Sequence, residues 1–382
     1  MHLPLPVIFS RRQFLRLSGT AAAIASWDGA AGGLRGAATA VPPATTPLGD
    51  TFDLSRWLQP VPPQAVFEEP GYFVWCGTMV RGADGRCHLY YSRWRTEEGF
   101  AAWVTHSEVA HAVADQPWGP YRHADVALPA RGPEFWDGHC THNPAVFAHG
   151  GKYYLYYTGN YGDRQKVKGL NWSHRNHQRV GVAVADRPEG PWRRFDRPLI
   201  EPTLGFHDAL MGANPSVLAR PDGTIQLIYK AVGLAKPLPF GGPVVHVVAT
   251  APEPTGPFTK RPDPVFTHEG ALFPAEDPFI WRDGGRYWAV VKDMRGYFTQ
   301  AGRSLALMRS DDGFAWQPAA QPLVSRTEIR RADGAVQKLT ALERPQLWFD
   351  RGEPAVLFCA ASIGTEMQAQ STFNVAIPLR RP

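Results

Sequence analysis

The sequence predicts an all-β chain, a five-bladed β-propeller of four-stranded antiparallel blades closed by its N-terminal segment. Two registers of repeat predict it. In the first, an apolar strand opens on a polar residue followed by proline, at Asn143-Pro144, Asn214-Pro215, Asp277-Pro278 and Arg344-Pro345, with steps of 71, 63 and 67 residues. In the second, a strand pattern ends in a Gly-Pro-aromatic corner, at Gly119-Pro120-Tyr121, Gly190-Pro191-Trp192 and Gly256-Pro257-Phe258. Asp312-Gly313-Phe314-Ala315-Trp316 reads as a degenerate fourth copy. Two locked periods in one chain indicate a repeat architecture.

The segments between these marks have strand character. Runs such as Lys152 to Tyr157 and Val244 to Val248 are aromatic or β-branched, which suits a pleated, half-buried surface. Ala83-Asp84-Gly85, Pro221-Asp222-Gly223 and Asp283-Gly284-Gly285 supply the residues that hairpin turns prefer. Four such strands repeated about an axis make a propeller blade. A divergent first blade covers Trp75 to Val126. The fifth blade begins at Pro345 and supplies Gln346 to Phe349, Ala355 to Cys359 and Phe373 to Ile377, one strand short of four. The segment Phe52 to Trp57 is expected to close it and so remove a sheet edge.

The chain has 382 residues, with 37 glycines and 36 prolines, many for a helical protein and apt for one with many turns. Radial repeats of this length form one domain, expected over residues 41–382. Residues 1–40 read as an address. Ser10-Arg11-Arg12-Gln13-Phe14-Leu15 has the twin-arginine pattern, a mildly apolar run follows from Leu17 to Ser26, and Ala38-Thr39-Ala40 offers a cleavage site. The implied location is the periplasm or the exterior. Loss of this segment removes Arg11, Arg12, Arg16 and Arg35 against Asp28, so the net charge falls from +5 to +2. The basic balance therefore belongs largely to the signal and argues against a nucleic-acid partner. No internal run of eighteen apolar residues exists, so no stable membrane insertion is expected. Cys76, Cys87, Cys140 and Cys359 fall in different strands and read as buried free thiols rather than disulfides.

In a propeller the innermost strands begin at one face of the central channel, and the loops joining second and third strands open on that face. The residues converging there are Asp137, His139 and His142, then His207 and Asp208, then Glu276 and Asp277, and finally Glu343 and Arg344. Converging carboxylates suit glycoside chemistry, in which one acid protonates the departing oxygen while another attacks or activates water. Crowding and burial spread their proton affinities as that division of labour requires. The spacing of His139 and His142 allows metal binding, but no third ligand accompanies them, so a substrate or channel-floor role is expected. No cofactor is implied, although a cation such as calcium is compatible with the channel.

On these motifs the chain resembles the five-bladed propeller glycoside hydrolases, the group containing the family 43 arabinofuranosidases and xylosidases and the family 32 and 68 fructan enzymes. Leu342-Glu343-Arg344-Pro345 is similar to the Glu-Arg-Pro element that carries the general acid in the levansucrase group. Ala275-Glu276-Asp277-Pro278 resembles the Asp-Pro element whose aspartate stabilises the transition state. Phe135-Trp136-Asp137-Gly138 resembles the Trp-Asp element that carries the nucleophile. The resemblance implies Glu343 as acid, Asp277 as second catalytic residue and Asp137 as base or nucleophile, a role for which Asp208 in Phe206-His207-Asp208-Ala209-Leu210 competes. It departs in the first blade, which opens at Trp75-Cys76-Gly77-Thr78 without an acid.

Substrate contacts are expected from His142, Asn143, His207, Asn214, Trp136, Trp172, Lys292 and Arg344. The loop from Asn160 to Arg179 holds Arg164, Lys166, Lys168, Arg175 and Arg179 among aromatic residues. Aromatic rings stack on sugars and arginines grip carboxylate or sulfate, so an anionic poly- or oligosaccharide is the expected substrate. Two other readings stand beside hydrolysis. A binding propeller needs the aromatics but not the acids, and a lyase needs a base such as His142 or Tyr297 with Lys292 or Arg344 neutralising a uronate.

Overall fold

The computed structural model describes residues 46–365 and 368–382. The export signal expected over residues 1–40 lies outside the described residues. Five four-stranded antiparallel sheets form the blades. Blade one comprises Tyr72–Arg81, Cys87–Arg95, Glu108–Ala114 and Arg122–Leu128. Blade two comprises Cys140–His149, Lys152–Asn160, Arg179–Ala185 and the short Arg193–Arg194. Blade three holds Met211–Ala219, Ile225–Val232, Val244–Ala251 and Thr259–Val265. Blade four holds Ala275–Asp283, Arg286–Asp293, Ser304–Ser310 and Gln317–Arg326. Blade five takes Ala341–Asp350, Glu353–Thr365 and Gln368–Pro378 from the C-terminal end of the chain.

The fourth strand of blade five does come from the N-terminal segment, but from different residues than expected. Val66–Phe67 pairs with Val375 and Asn374. The expected closing segment, Phe52 to Trp57, is instead built around a 3-10 turn, Leu54–Trp57, whose first N–H groups are met by Asp53 through a 3.0 Å bond from Ser55 N. Its aromatic residues are apolar for packing reasons. Phe52 meets Trp57 and Trp288 edge to face at 5.4 and 5.2 Å, and burying each such ring stabilises by about 1.5–3 kcal/mol. Beyond it the chain touches the last strand's end, with Gln59 N donating to Pro378 O and Arg380 N to Trp57 O, both at 2.9 Å.

The polar-Pro motifs do not open the inner strands. They lie three or four residues inside and mark a bulge repeated in every blade. Strand register slips between Trp75 and Thr78, His142 and Ala145, Ala213 and Ser216, Glu276 and Phe279, and Glu343 and Gln346. At the centre of each slip stands a left-handed residue: Cys76 (φ 60°), Asn143 (50°), Asn214 (53°), Asp277 (56°) and Arg344 (56°). Asn and Asp adopt this conformation readily, whereas Cys and Arg pay about 1–2 kcal/mol for it. Proline is excluded from the interior of a ladder but fits where a bulge frees the N–H position. Blade one carries Gly77 at that place, which hid its bulge from the proline register. The corner glycines share a second backbone signature, with Gly119, Gly190, Gly256 and Gly313 at φ 95°, 90°, 89° and 79°, so the degenerate fourth corner keeps the geometry after losing its proline.

Candidate active site

Each bulge aims two neighbouring side chains in different directions. The residue before it faces a cavity at the mouth of the channel, and the bulged residue faces the axis. The five axial residues form a polar neck. Cys76 Sγ donates to Asn143 Oδ1 at 2.9 Å, Asn143 Nδ2 donates to Asn214 Oδ1, Asn214 Nδ2 donates to Asp277 Oδ1 at 2.7 Å, and Arg344 Nη1 donates to the same oxygen at 2.9 Å. Burial pushes the Cys76 thiol up, keeping its proton available for the first link.

Above this neck lies a cavity of about 170 Å³, lined by Trp75, Trp94, Phe100, Trp103 and His142 on one side and by Lys230, Glu276, Lys292 and Glu343 on the other. Asn143, Asn214, Asp277 and Arg344 also contribute to its lining. Blade three presents only Ala213 before its bulge. Its cross-strand partner Lys230 reaches over to Glu276 Oε1 at 2.8 Å. The other oxygen of Glu276 accepts from Lys292 Nζ at 3.2 Å, and Lys292 also contacts Glu343. Single oxygens of Glu276, Asp277 and Glu343 all lie within 4.8 Å of one another.

The environment separates the two glutamates. Burial alone raises Glu276, but Lys230 and Lys292 outweigh it and hold the carboxyl well below the usual carboxylate range. Glu343 is raised, first by burial and then by the charges of Asp277 and Glu276, with Lys292 only partly opposing them. Burial would strip Lys292 of its proton, yet Glu343, Glu276 and Asp277 raise its proton affinity and keep it charged. Burial, followed by the charges of Arg344 and Lys230, holds the His142 imidazole well below its ordinary value and therefore neutral. Its Nδ1 lies 3.0 Å from Ser107 Oγ, and its ring packs on Trp103 at 4.9 Å. The acid trio is no site for a calcium ion, because Lys230, Lys292 and Arg344 already hold the positive positions among its oxygens.

Among the residues expected from sequence, Glu343, Asp277, His142, Asn143, Asn214, Lys292 and Arg344 meet at this cavity. Asp137 and Asp208 do not. Both are fully buried and serve as matching struts within blades two and three. Asp137 accepts from Tyr157 OH at 2.7 Å, Arg131 Nε at 2.9 Å and Arg194 Nη1 at 3.3 Å. Asp208 accepts from Tyr229 OH at 2.7 Å, Lys260 Nζ at 2.5 Å and Thr203 N at 3.1 Å. Trp136 stacks on Tyr157 with centroids 5.6 Å apart and donates to Phe195 O at 3.2 Å. His207 Nε2 bonds Pro262 O at 3.0 Å, and Trp172 packs against Phe240. None of these five residues lines the cavity.

The basic loop also differs from expectation. Arg164 donates to His139 O at 2.8 Å, Arg175 to Phe240 O at 2.7 Å and Arg179 to Gln178 O at 2.7 Å, so three of its cations hold the loop together. Burial lowers Arg175 to about 10. Lys166 stays at the surface, 3.5 Å from Glu98. In blade four, Asp293 organises the turn that carries Tyr297, accepting five backbone N–H groups from Arg295 to Thr299. Sequence reasoning ranked Asp277 above Glu276 and passed over Lys230 and the wall of Trp75, Trp94, Phe100 and Trp103. The position immediately before each bulge was the signal that could have found Glu276.

No protein-family model matches the chain, and no curated protein matches it. Solved structures share its fold. One described as a glycoside hydrolase gives a TM-score of 0.62 at 16% identity, covering 86% of this chain and 92% of its own. A family 117 glycoside hydrolase produced by the marine bacterium Zobellia galactanivorans gives 0.57 at 17% identity, with 84% and 89% covered. A thermostable family-43 glycoside hydrolase gives 0.55 at 12% identity, with 85% and 93% covered. The five-bladed architecture is therefore shared along nearly the full length of each.

Proposed function

We propose that the chain is a glycoside hydrolase with Glu343 as proton donor and Glu276 as the ionised carboxylate. One observation carries the reading: two carboxyls share a cavity, and their surroundings push their proton affinities in opposite directions. That is the arrangement an acid/base pair needs. Glu343 gives its proton to the glycosidic oxygen as the C–O bond breaks. Glu276 attacks the anomeric carbon, and water then releases the sugar with Glu343 as base. Lys292 orients both acids, and Asp277 positions Arg344. The tryptophan wall offers a face on which a sugar ring stacks.

The substrate in this reading is anionic. Lys230, Lys292 and Arg344 set three cations around the carboxyls of Glu276, Asp277 and Glu343, of which Glu343 has its proton affinity raised. Arg344 is buried, and its Nε and Nη2 have no hydrogen-bond partner among the described residues. That edge is the pair of donors that grips a carboxylate or sulfate side-on. The twin-arginine segment supports export to the periplasm or beyond, where such glycans are met.

One observation favours a second reading. A neutral His142 beside the unpaired edge of Arg344 suits abstraction of a proton next to a uronate, the chemistry of a lyase. Incubation with neutral, uronate-containing and sulfated oligosaccharides distinguishes them. Hydrolysis releases saturated sugar and is lost in Glu343→Gln, whereas elimination gives an ultraviolet-absorbing unsaturated product and is lost in His142→Ala. Glycan binding without turnover makes the protein a lectin-like propeller and overturns both.

A further inference from the structure

Inner strands run away from the cavity, so the turns joining first and second strands lie at the opposite end of each blade. There Asp84, in the first turn of blade one, meets His88 on the following strand and Glu189 in the outer turn of blade two. We propose that these three side chains bind a divalent transition metal, zinc by preference, which staples blade one to blade two.

Three independent features support the site. The first is spacing. His88 Nε2 lies 3.4 Å from Asp84 Oδ1 and 3.8 Å from Glu189 Oε1, and all three atoms fall within 4.8 Å. Bonds of about 2.0–2.2 Å in a tetrahedron set ligand atoms about 3.3–3.6 Å apart. One imidazole with two carboxylates is a donor set that zinc accepts, with water completing the coordination.

The second is the hydrogen-bonded chain behind His88. His88 Nδ1 is 3.0 Å from His111 Nε2, and His111 Nδ1 is 3.4 Å from Asp125 Oδ2. A carboxylate only accepts, so with the His111 N–H turned to Asp125 the proton of His88 sits on Nδ1 and its Nε2 lone pair faces Asp84 and Glu189, the form a cation selects over the one in which Nε2–H donates to Asp84 at 3.4 Å. Arg86 N also donates to that Asp84 oxygen at 3.0 Å and fixes its position. The relay from Asp125 through His111 is the outer support that metal-binding histidines usually have. His88 is fully buried and stacks on His111 with the rings 7° from parallel.

The third is Gly82. A Cβ there would stand 2.5 Å from Asp84 Oδ1 and 2.8 Å from His88 Nε2, inside the cradle itself. Its backbone is not left-handed, so the glycine is needed for space rather than conformation. Tyr90 OH donates to Pro188 O at 2.5 Å and pins the Glu189 turn against blade one, which fixes the third ligand.

The test uses the full chain, stripped with a chelator and titrated with zinc chloride, with bound metal counted by mass spectrometry after gel filtration. One zinc per chain is expected, with a rise of about 2–5 °C in melting temperature near saturation. Asp84 and Glu189 are partly exposed, so Asp84→Asn and Glu189→Gln keep the fold, and each should weaken binding by at least about tenfold. His111→Phe should weaken it by about 10–100-fold through loss of the outer support. Sub-stoichiometric zinc in the wild type overturns the site, as does equal binding by wild type and Glu189→Gln. The readout is metal content, so the result stands whatever the protein does to glycans.

Discussion

Blades two and three carry an aspartate six residues before their bulges, at 137 and 208, whereas blades four and five carry a glutamate one residue before theirs, at 276 and 343. The two pairs look alike in sequence, each an acid close to a polar-Pro motif. The first pair is fully buried and bound by a tyrosine of the second strand and basic residues outside it. The second pair faces the cavity and shares Lys292. Distance from the bulge, not residue type, decides whether a carboxylate is bound inside a blade or faces the cavity.

Four experiments break or sharpen this contrast. Glu343→Gln should lower kcat/KM by about 10²–10⁴-fold with glycan binding retained, as loss of general acid catalysis predicts; full activity in this variant removes the distinction altogether. Asp208→Ala should instead lower stability by about 3–5 kcal/mol, because Lys260 and Tyr229 lose their shared partner, while turnover per folded molecule holds in a calorimetry-matched assay. Lys230→Met should raise the proton affinity of Glu276, since one of its two opposing cations is gone. The proposed mechanism uses Glu276 ionised and Glu343 protonated, so on that reading the wild-type profile should fall at strongly acid pH through the lowered group and on the alkaline side through the raised one. In Lys230→Met the acid limb should move to higher pH by about one unit, read from kcat/KM against pH. His207→Ala should change melting stability by no more than about 0.5 kcal/mol and leave turnover unaltered, because the side chain meets only Pro262 O and the Phe206 ring of its own blade, away from the cavity.

The propeller was legible because its repeats are written in residues with backbone constraints. Proline and glycine announce the bulges and corners at a fixed period. The closing strand was not legible, since a two-residue strand has no alternation to read, and the nearby Phe52 and Trp57 imitate a strand while packing on each other and, through Phe52, on Trp288. Glu343 was found through its Glu-Arg-Pro context. Glu276 was overshadowed by Asp277, which stands directly before the proline, because sequence alone does not show which of two adjacent acids a bulge turns outward. Lys230 was invisible for a different reason: its importance comes from the smallness of Ala213 opposite it. The role of the basic loop was not legible because arginine serves carbonyl oxygens as readily as ligands, and only packing tells which.

The neck beneath the cavity gives this nearly fivefold object a direction. Cysteine gives a hydrogen bond, each asparagine takes one and gives one, and aspartate only takes. Read around the axis, the links from blade one to blade four all point the same way and then meet Arg344 head-on at Asp277. Blades two and three are interchangeable in this grammar, and the others are not. The sole reversal among these four links falls between blades four and five, the same junction across which Lys292 joins Glu276 to Glu343, so a scaffold built by repetition sets that seam apart from the three before it.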